Sequence, residues 1–123
     1  MATIKSYTDI EQSRKLAEIL PLESADMYYW CADHYPKEDW IIEVGEPDNN
    51  YECIPCWSLA ALFDVLPKFI GDYGKYLHYD VDGYCCGYMD DGNFMLIIQE
   101  TNADNSIDAC YEMILKLQER ELL

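Results

Sequence analysis

Two observations predict an α+β fold for this chain of 123 residues. Two Asp-Gly pairs, Asp82-Gly83 and Asp91-Gly92, interrupt runs rich in aromatic and β-branched residues. Three other stretches carry apolar residues at helical spacing. Helices laid on a mainly antiparallel sheet make an α+β domain. The expected arrangement is a single domain over 1–123. A mainly antiparallel sheet, including a three-stranded meander over about 76–99, packs against helices over about 8–20, 57–66 and 106–121.

The first helix is expected over 8–20. Thr8 and Glu11 have capping-box spacing, Ile10, Leu16, Ala17 and Leu20 can share a face, and Pro21 stops it. DMYYWC at 26–31 and WIIEV at 40–44 read as strands, with ADHYPKED as the turn between them. GEPDNNYE at 45–52 reads as a polar loop by its Gly, Pro and Asn content.

Residues 57–66 are apolar nearly all round, so a buried helix is expected there, ended by Pro67. The strands 76–81, 84–90 and 93–99 follow. Each Asp-Gly pair supplies the positive φ that a two-residue hairpin needs. In that register Met89 faces Phe94, Gly87 faces Leu96 and Cys85 faces Ile98, while Tyr88 faces Met95 and Cys86 faces Ile97. The last helix, about 106–121, carries the stripe Ile107, Cys110, Ile114 and Leu117. Ser106 or Asp104 could cap it, and Asp108 suits the first-turn dipole.

Charge narrows the function classes. Twenty-four acids face eight bases, a net charge of −16. From Glu23 to Asp64 ten acids accompany only Lys37, and between Lys75 and Lys116 there are eight acids and no Lys or Arg. Phosphate contacts rely on Lys and Arg, so direct nucleic-acid binding is disfavoured. A basic protein partner would be attracted, although solubility alone is the competing reading. No apolar run reaches the ~18 residues of a membrane span. MATIKSYTDIEQSRK lacks a signal peptide's apolar stretch. A cytoplasmic location is therefore expected, with the cysteines as reduced thiols.

Three stretches, YTDIEQSRKLAEILPLESADMYYW, IPCWSLAALFDVLP and DNSIDACYEMILKLQERELL, together resemble an uncharacterised family of small acidic proteins from gut bacteria and their prophages or mobile elements. The resemblance spans most of the chain, from Tyr7 to Leu123. It implies a small cytoplasmic accessory protein and brings no assigned function or catalytic residue.

The motifs argue mainly against chemistry. YMDD at 88–91 matches the catalytic hairpin of reverse transcriptases, but no Lys or Arg lies between Tyr76 and Met113 to line a template channel. Asp91-Gly92 is turn chemistry. CIPC, Cys53 to Cys56, resembles a thioredoxin motif, yet the polar GEPDNNYE precedes it and no proline follows Pro67. A packing cysteine pair at a helix start is the simpler reading. Zinc needs more closely spaced ligands than Cys31, Cys85, Cys86, Cys110, His34 and His78 offer, and Cys85 and Cys86 point to opposite faces of a strand. DVDGY has its glycine too early for a calcium loop.

No catalytic residue, metal site or cofactor is therefore expected. The candidate binding residues are Tyr28 and Trp30, in an acid-flanked aromatic strand, and Asp80, Asp82, Asp90 and Asp91 around the two turns. The leading functional expectation is a non-enzymatic acidic module that binds a basic protein, with DNA mimicry as a sharper version. Two alternatives stand beside it. One is a small Mg²⁺-dependent enzyme using those four aspartates. The other is a structural homo-oligomer joined through an exposed strand or aromatic face.

Overall fold

The computed structural model describes residues 5–31, 40–46, 52–90 and 99–123. They form an α+β domain. Among them, α1 (Ile10–Ala17), α2 (Leu59–Val65) and α3 (Ser106–Glu119) accompany two antiparallel sheets instead of one. The first sheet is ordered β2-β1-β3, from β1 (Met27–Cys31), β2 (Ile41–Val44) and β3 (Glu52–Cys56). The second is ordered β4-β5-β6-β7, from β4 (Phe69–Ile70), β5 (Tyr73–Asp80), β6 (Gly83–Met89) and β7 (Thr101–Ala103).

The helices follow their apolar stripes, but their caps differ from expectation. Asp9, not Thr8, caps α1, in a reciprocal capping box with Gln12. Thr8 is buried instead. Its N–H donates to the Trp57 carbonyl at 3.0 Å, and its hydroxyl lies 2.7 Å from Ser13 Oγ. Asn105 caps α3 by accepting from the Asp108 N–H, in place of Ser106 or Asp104. The stripe Ile107, Cys110, Ile114 and Leu117 is fully buried. On α2 only Leu62 is buried, while Ala60 and Asp64 are exposed, so this helix is not covered on all sides.

CIPC is a strand, not a helix start. It forms β3, which pairs with β1 so that Met27 faces Cys56 and Tyr28 faces Pro55. Pro55 lacks an N–H for a ladder, but β3 is an edge strand, where that loss is tolerated. Ile54 and Cys56 face inward and join Tyr29, Tyr7, Ile10 and Ile42 in a small core. The three-residue spacing sends Cys53 to the opposite face, so Cys53 and Cys56 share neither a disulfide nor a metal.

The hairpin β5–β6 is also shifted from expectation. Asp80 faces Gly83, so the two-residue loop is Val81-Asp82. Only Gly83 adopts positive φ, at +106°, whereas Asp82 does not. Asp80 Oδ1 accepts the Asp82 N–H at 2.8 Å and closes the turn locally. The third strand of the meander is β7, which places Asn102 opposite Cys85 and Thr101 opposite Cys86. These residues, not Ile98 and Ile97, face Cys85 and Cys86. The Asp91-Gly92 turn and the segment 93–98, with Phe94, Met95 and Leu96, lie outside the described residues, as does ADHYPKED, Ala32 to Asp39, with His34.

The main core lies between the inner face of the second sheet and the helices. Leu16, Leu20, Trp57, Leu62, Leu66, Tyr88, Met113 and Leu117 meet there. Each such fully buried side chain contributes about 1.5–3 kcal/mol, against roughly 0–1 kcal/mol for an exposed ion pair. Apolar burial, not charge, holds this fold.

One polar tie joins α1 to α3. The Asp108 carboxylate accepts from Lys5 at 2.9 Å, Gln12 at 2.7 Å and Asn105 at 2.8 Å. Burial alone would raise its pKa, but those hydrogen bonds outweigh burial and hold it below the usual carboxylate range. A depressed folded pKa stabilises above the unfolded value of about 3.9, and the benefit disappears as pH falls through the folded value. Asp108→Asn is therefore expected to cost roughly 1 kcal/mol at pH 6. The figure is small because the side chain is 33% exposed. In urea titrations the gap between the two proteins should close below about pH 4.

Candidate functional site

The predicted binding residues fall in two separate places. Tyr28 and Trp30 share one face of β1 in the first sheet. Tyr28 is buried there, and its hydroxyl donates to Glu43 at 2.9 Å across the β1–β2 ladder. Asp80 and Asp82 sit at the β5–β6 turn, and Asp90 follows β6 at its other end. The seven residues of β6 separate Asp80 from Asp90 by roughly 20 Å. One metal ion cannot be shared across that distance. Asp91 lies outside the described residues.

The strands bring together a different set. On the second sheet, Leu77, Tyr84, Cys86, Tyr88 and Ala103 face the helices. The alternate positions, Tyr76, His78, Asp80, Cys85 and Asn102, face outward. Cys85 lies opposite His78 on one side and Asn102 on the other. His78 Nε2 is 3.3 Å from Asp80 Oδ2, and the Cys85 thiol shares its one proton between that same oxygen, at 3.5 Å, and Asn102 Oδ1, at 2.7 Å. The nitrogen, carboxylate oxygen and sulfur all lie within 4.8 Å of one another.

Neighbours fix these groups. The His78 ring stacks on Tyr76, with centroids 5.1 Å apart and planes 6° off parallel. The Tyr76 hydroxyl donates to Glu100. Gly87 makes room for that ring, since a Cβ there would approach the Tyr76 hydroxyl to 2.7 Å. Cys85 is fully buried, whereas the side chains of His78 and Asp80 are 43% and 41% exposed.

The electrostatics separate the thiols by role. Burial, with the Asp80 hydrogen bond and the charges of Glu100 and Asp82, pushes the Cys85 thiol up to about 11. It is therefore a protonated thiol at neutral pH, not a ready nucleophile. The hydrogen bond with Cys110, together with burial, drives Cys86 far up, and burial raises Cys56. These are packing cysteines. The backbone N–H of Asp82 holds the Asp80 carboxyl below the usual carboxylate range, with help from Cys85 and His78.

Charge is distributed very differently. Among the described residues no carboxylate is buried. Exposed acids occur on every part of the fold: Glu11 on α1 and Glu18 just after it, Glu43 on β2, Asp64 on α2, Asp72 and Asp82 at turns, and Glu112 and Glu119 on α3. Several bases are meanwhile occupied internally. Lys5 pairs with Asp9 and Asp108 at 3.0 and 2.9 Å. The Lys75 ammonium donates to the Phe63 and Leu66 carbonyls at 2.7 and 3.1 Å, capping the end of α2. Lys116 donates to the Gln99 carbonyl.

Comparison with family models, with curated proteins and with solved structures gives no match for this chain. No described helix is long and apolar enough to cross a membrane.

Proposed function

We propose that this chain is a non-enzymatic acidic module that binds a basic protein. The supporting observation is the placement of the carboxylates. None of those described is buried, and they spread over both sheets and all three helices instead of converging on a cleft. Catalytic carboxylates converge on one site, whereas these are scattered over the surface. Dispersed charge of one sign attracts an oppositely charged partner and speeds its encounter.

Among the described residues the strands of the first sheet carry charge of one sign only. Glu43, Glu46 and Glu52 are exposed on it, and no Lys or Arg occurs in β1, β2 or β3. A role as an accessory factor of a phage or mobile element, acting in the cytoplasm, extends this reading on the strength of the sequence resemblance. Capture from host lysate on the immobilised chain tests it. A partner with net positive charge should be retained at low salt and released as ionic strength rises past the point where the Debye length falls below about 8 Å. Retention of no basic protein at low salt overturns the reading.

A further inference from the structure

We propose that His78, Asp80 and Cys85 form a binding site for a zinc-class divalent cation on the outer face of the second sheet. The geometry carries the inference. A tetrahedral ion with bonds of about 2.0–2.3 Å spaces its ligand atoms roughly 3.3–3.8 Å apart. Two of the donor pairs measure 3.3 Å, from His78 Nε2 to Asp80 Oδ2, and 3.5 Å, from Asp80 Oδ2 to Cys85 Sγ. The third pair, the His78 nitrogen and the Cys85 sulfur, lies within 4.8 Å, so an ion between the three would draw those two atoms together by at most about 1.5 Å.

The donor set selects the metal class. Imidazole and thiolate favour zinc and its neighbours, whereas Mg²⁺ demands octahedral oxygen ligands. On binding, the sulfur–metal bond replaces the Cys85 S–H bond, and the proton leaves to solvent. Three protein ligands leave a fourth position on the solvent side, beside the exposed Asn102. The support is already in place, with Tyr76 stacked on the His78 ring and the Asp82 N–H on the second Asp80 oxygen. All three ligands come from one hairpin and flank its two-residue turn, so the ion would staple β5 to β6.

This site is independent of the acidic binding surface. Titration of the purified, reduced chain with Co²⁺ tests it, because cobalt–thiolate charge transfer and tetrahedral d–d bands report the ligand set directly. The expected result is both signals, saturating at a single ion per chain and abolished by Zn²⁺. His78→Ala and Cys85→Ser should each lose the thiolate band, and Cys53→Ser should keep it. His78 is exposed, so His78→Ala keeps the test decisive if Cys85→Ser does not fold, with circular dichroism as the check. Absence of the band in the natural chain, its survival in folded His78→Ala, or its loss in Cys53→Ser overturns the proposal.

Discussion

Trp57→Ala is expected to lower the unfolding free energy by roughly 3–5 kcal/mol. Trp57 has no exposed surface and lies in the link between β3 and α2. Its indole N–H donates to Ser24 Oγ at 3.0 Å. Its backbone N–H donates to Thr8 Oγ1 at 3.2 Å, while its carbonyl accepts the Thr8 N–H. The side chain therefore fills the main core at the point where the N-terminal segment, the 3₁₀ turn Leu22–Ser24 and the first sheet meet. Alanine leaves a cavity that three tethered segments cannot collapse to fill. A whole domain is stable by only about 5–15 kcal/mol, so the loss should appear as a large drop in urea midpoint. Trp57→Phe should recover most of the packing but not the Ser24 hydrogen bond, which leaves about 1 kcal/mol unrecovered.

Gly83→Val is the second large effect, and its cause is backbone geometry. Gly83 has φ +106°, a conformation that L side chains rarely adopt, and a Cβ there would meet the Ala103 carbonyl oxygen at 2.6 Å. Strain at such a position costs about 1–3 kcal/mol, and forced overpacking a similar amount. The oxygen belongs to the backbone of β7, so relief requires β6 and β7 to separate. The expected outcome is a destabilisation of roughly 2–5 kcal/mol with early exchange of the β7 amides. Gly74→Ala is the control. A Cβ at Gly74 finds only the Phe69 ring, at 3.5 Å and beyond, and that residue has ordinary φ.

Much of the fold was legible because its signals are local. The stripe Ile107, Cys110, Ile114 and Leu117 and the aromatic run of β1 are periodic over enough residues to name their element. β3 was not legible, because Pro55 and a preceding polar loop hide a strand that is possible only on an edge. The hairpin turn was displaced by one residue, because Asp82 was given a left-handed conformation that only Gly83 adopts. The caps at Asp9 and Asn105 missed by a single residue for a related reason. Runs of Thr-Asp and Asp-Asn-Ser offer several cap-competent side chains, and tertiary contacts such as those of Thr8 choose among them.

The outward cluster was readable in principle. Alternation along β5 places His78 and Asp80 on one face, and Cys85 reaches that face across a two-residue turn with the loop at 81–82 or at 82–83. Its ligands are not a closely spaced cysteine pair, the pattern by which a zinc site is legible in a sequence. CIPC drew attention, although on a strand its cysteines point apart. YMDD has a similar lesson. Tyr88 is core, with its hydroxyl on the Pro67 carbonyl at 2.6 Å, and Asp90 lies at the far end of β6 from Asp80.

The proposed function depends on the exposed acids of the first sheet engaging a basic partner. The most direct measurement compares the natural chain with a variant neutralised on that sheet, Glu43→Gln with Glu46→Gln, and with a control neutralised at the far end of α3, Glu119→Gln with Glu121→Gln. Each is immobilised and challenged with the same lysate at low salt, and the basic protein retained is quantified. Reduced retention by the first variant, with the control matching the natural chain, is the expected result. Equal retention by all three, or retention of no basic protein by any of them, would contradict the proposed function.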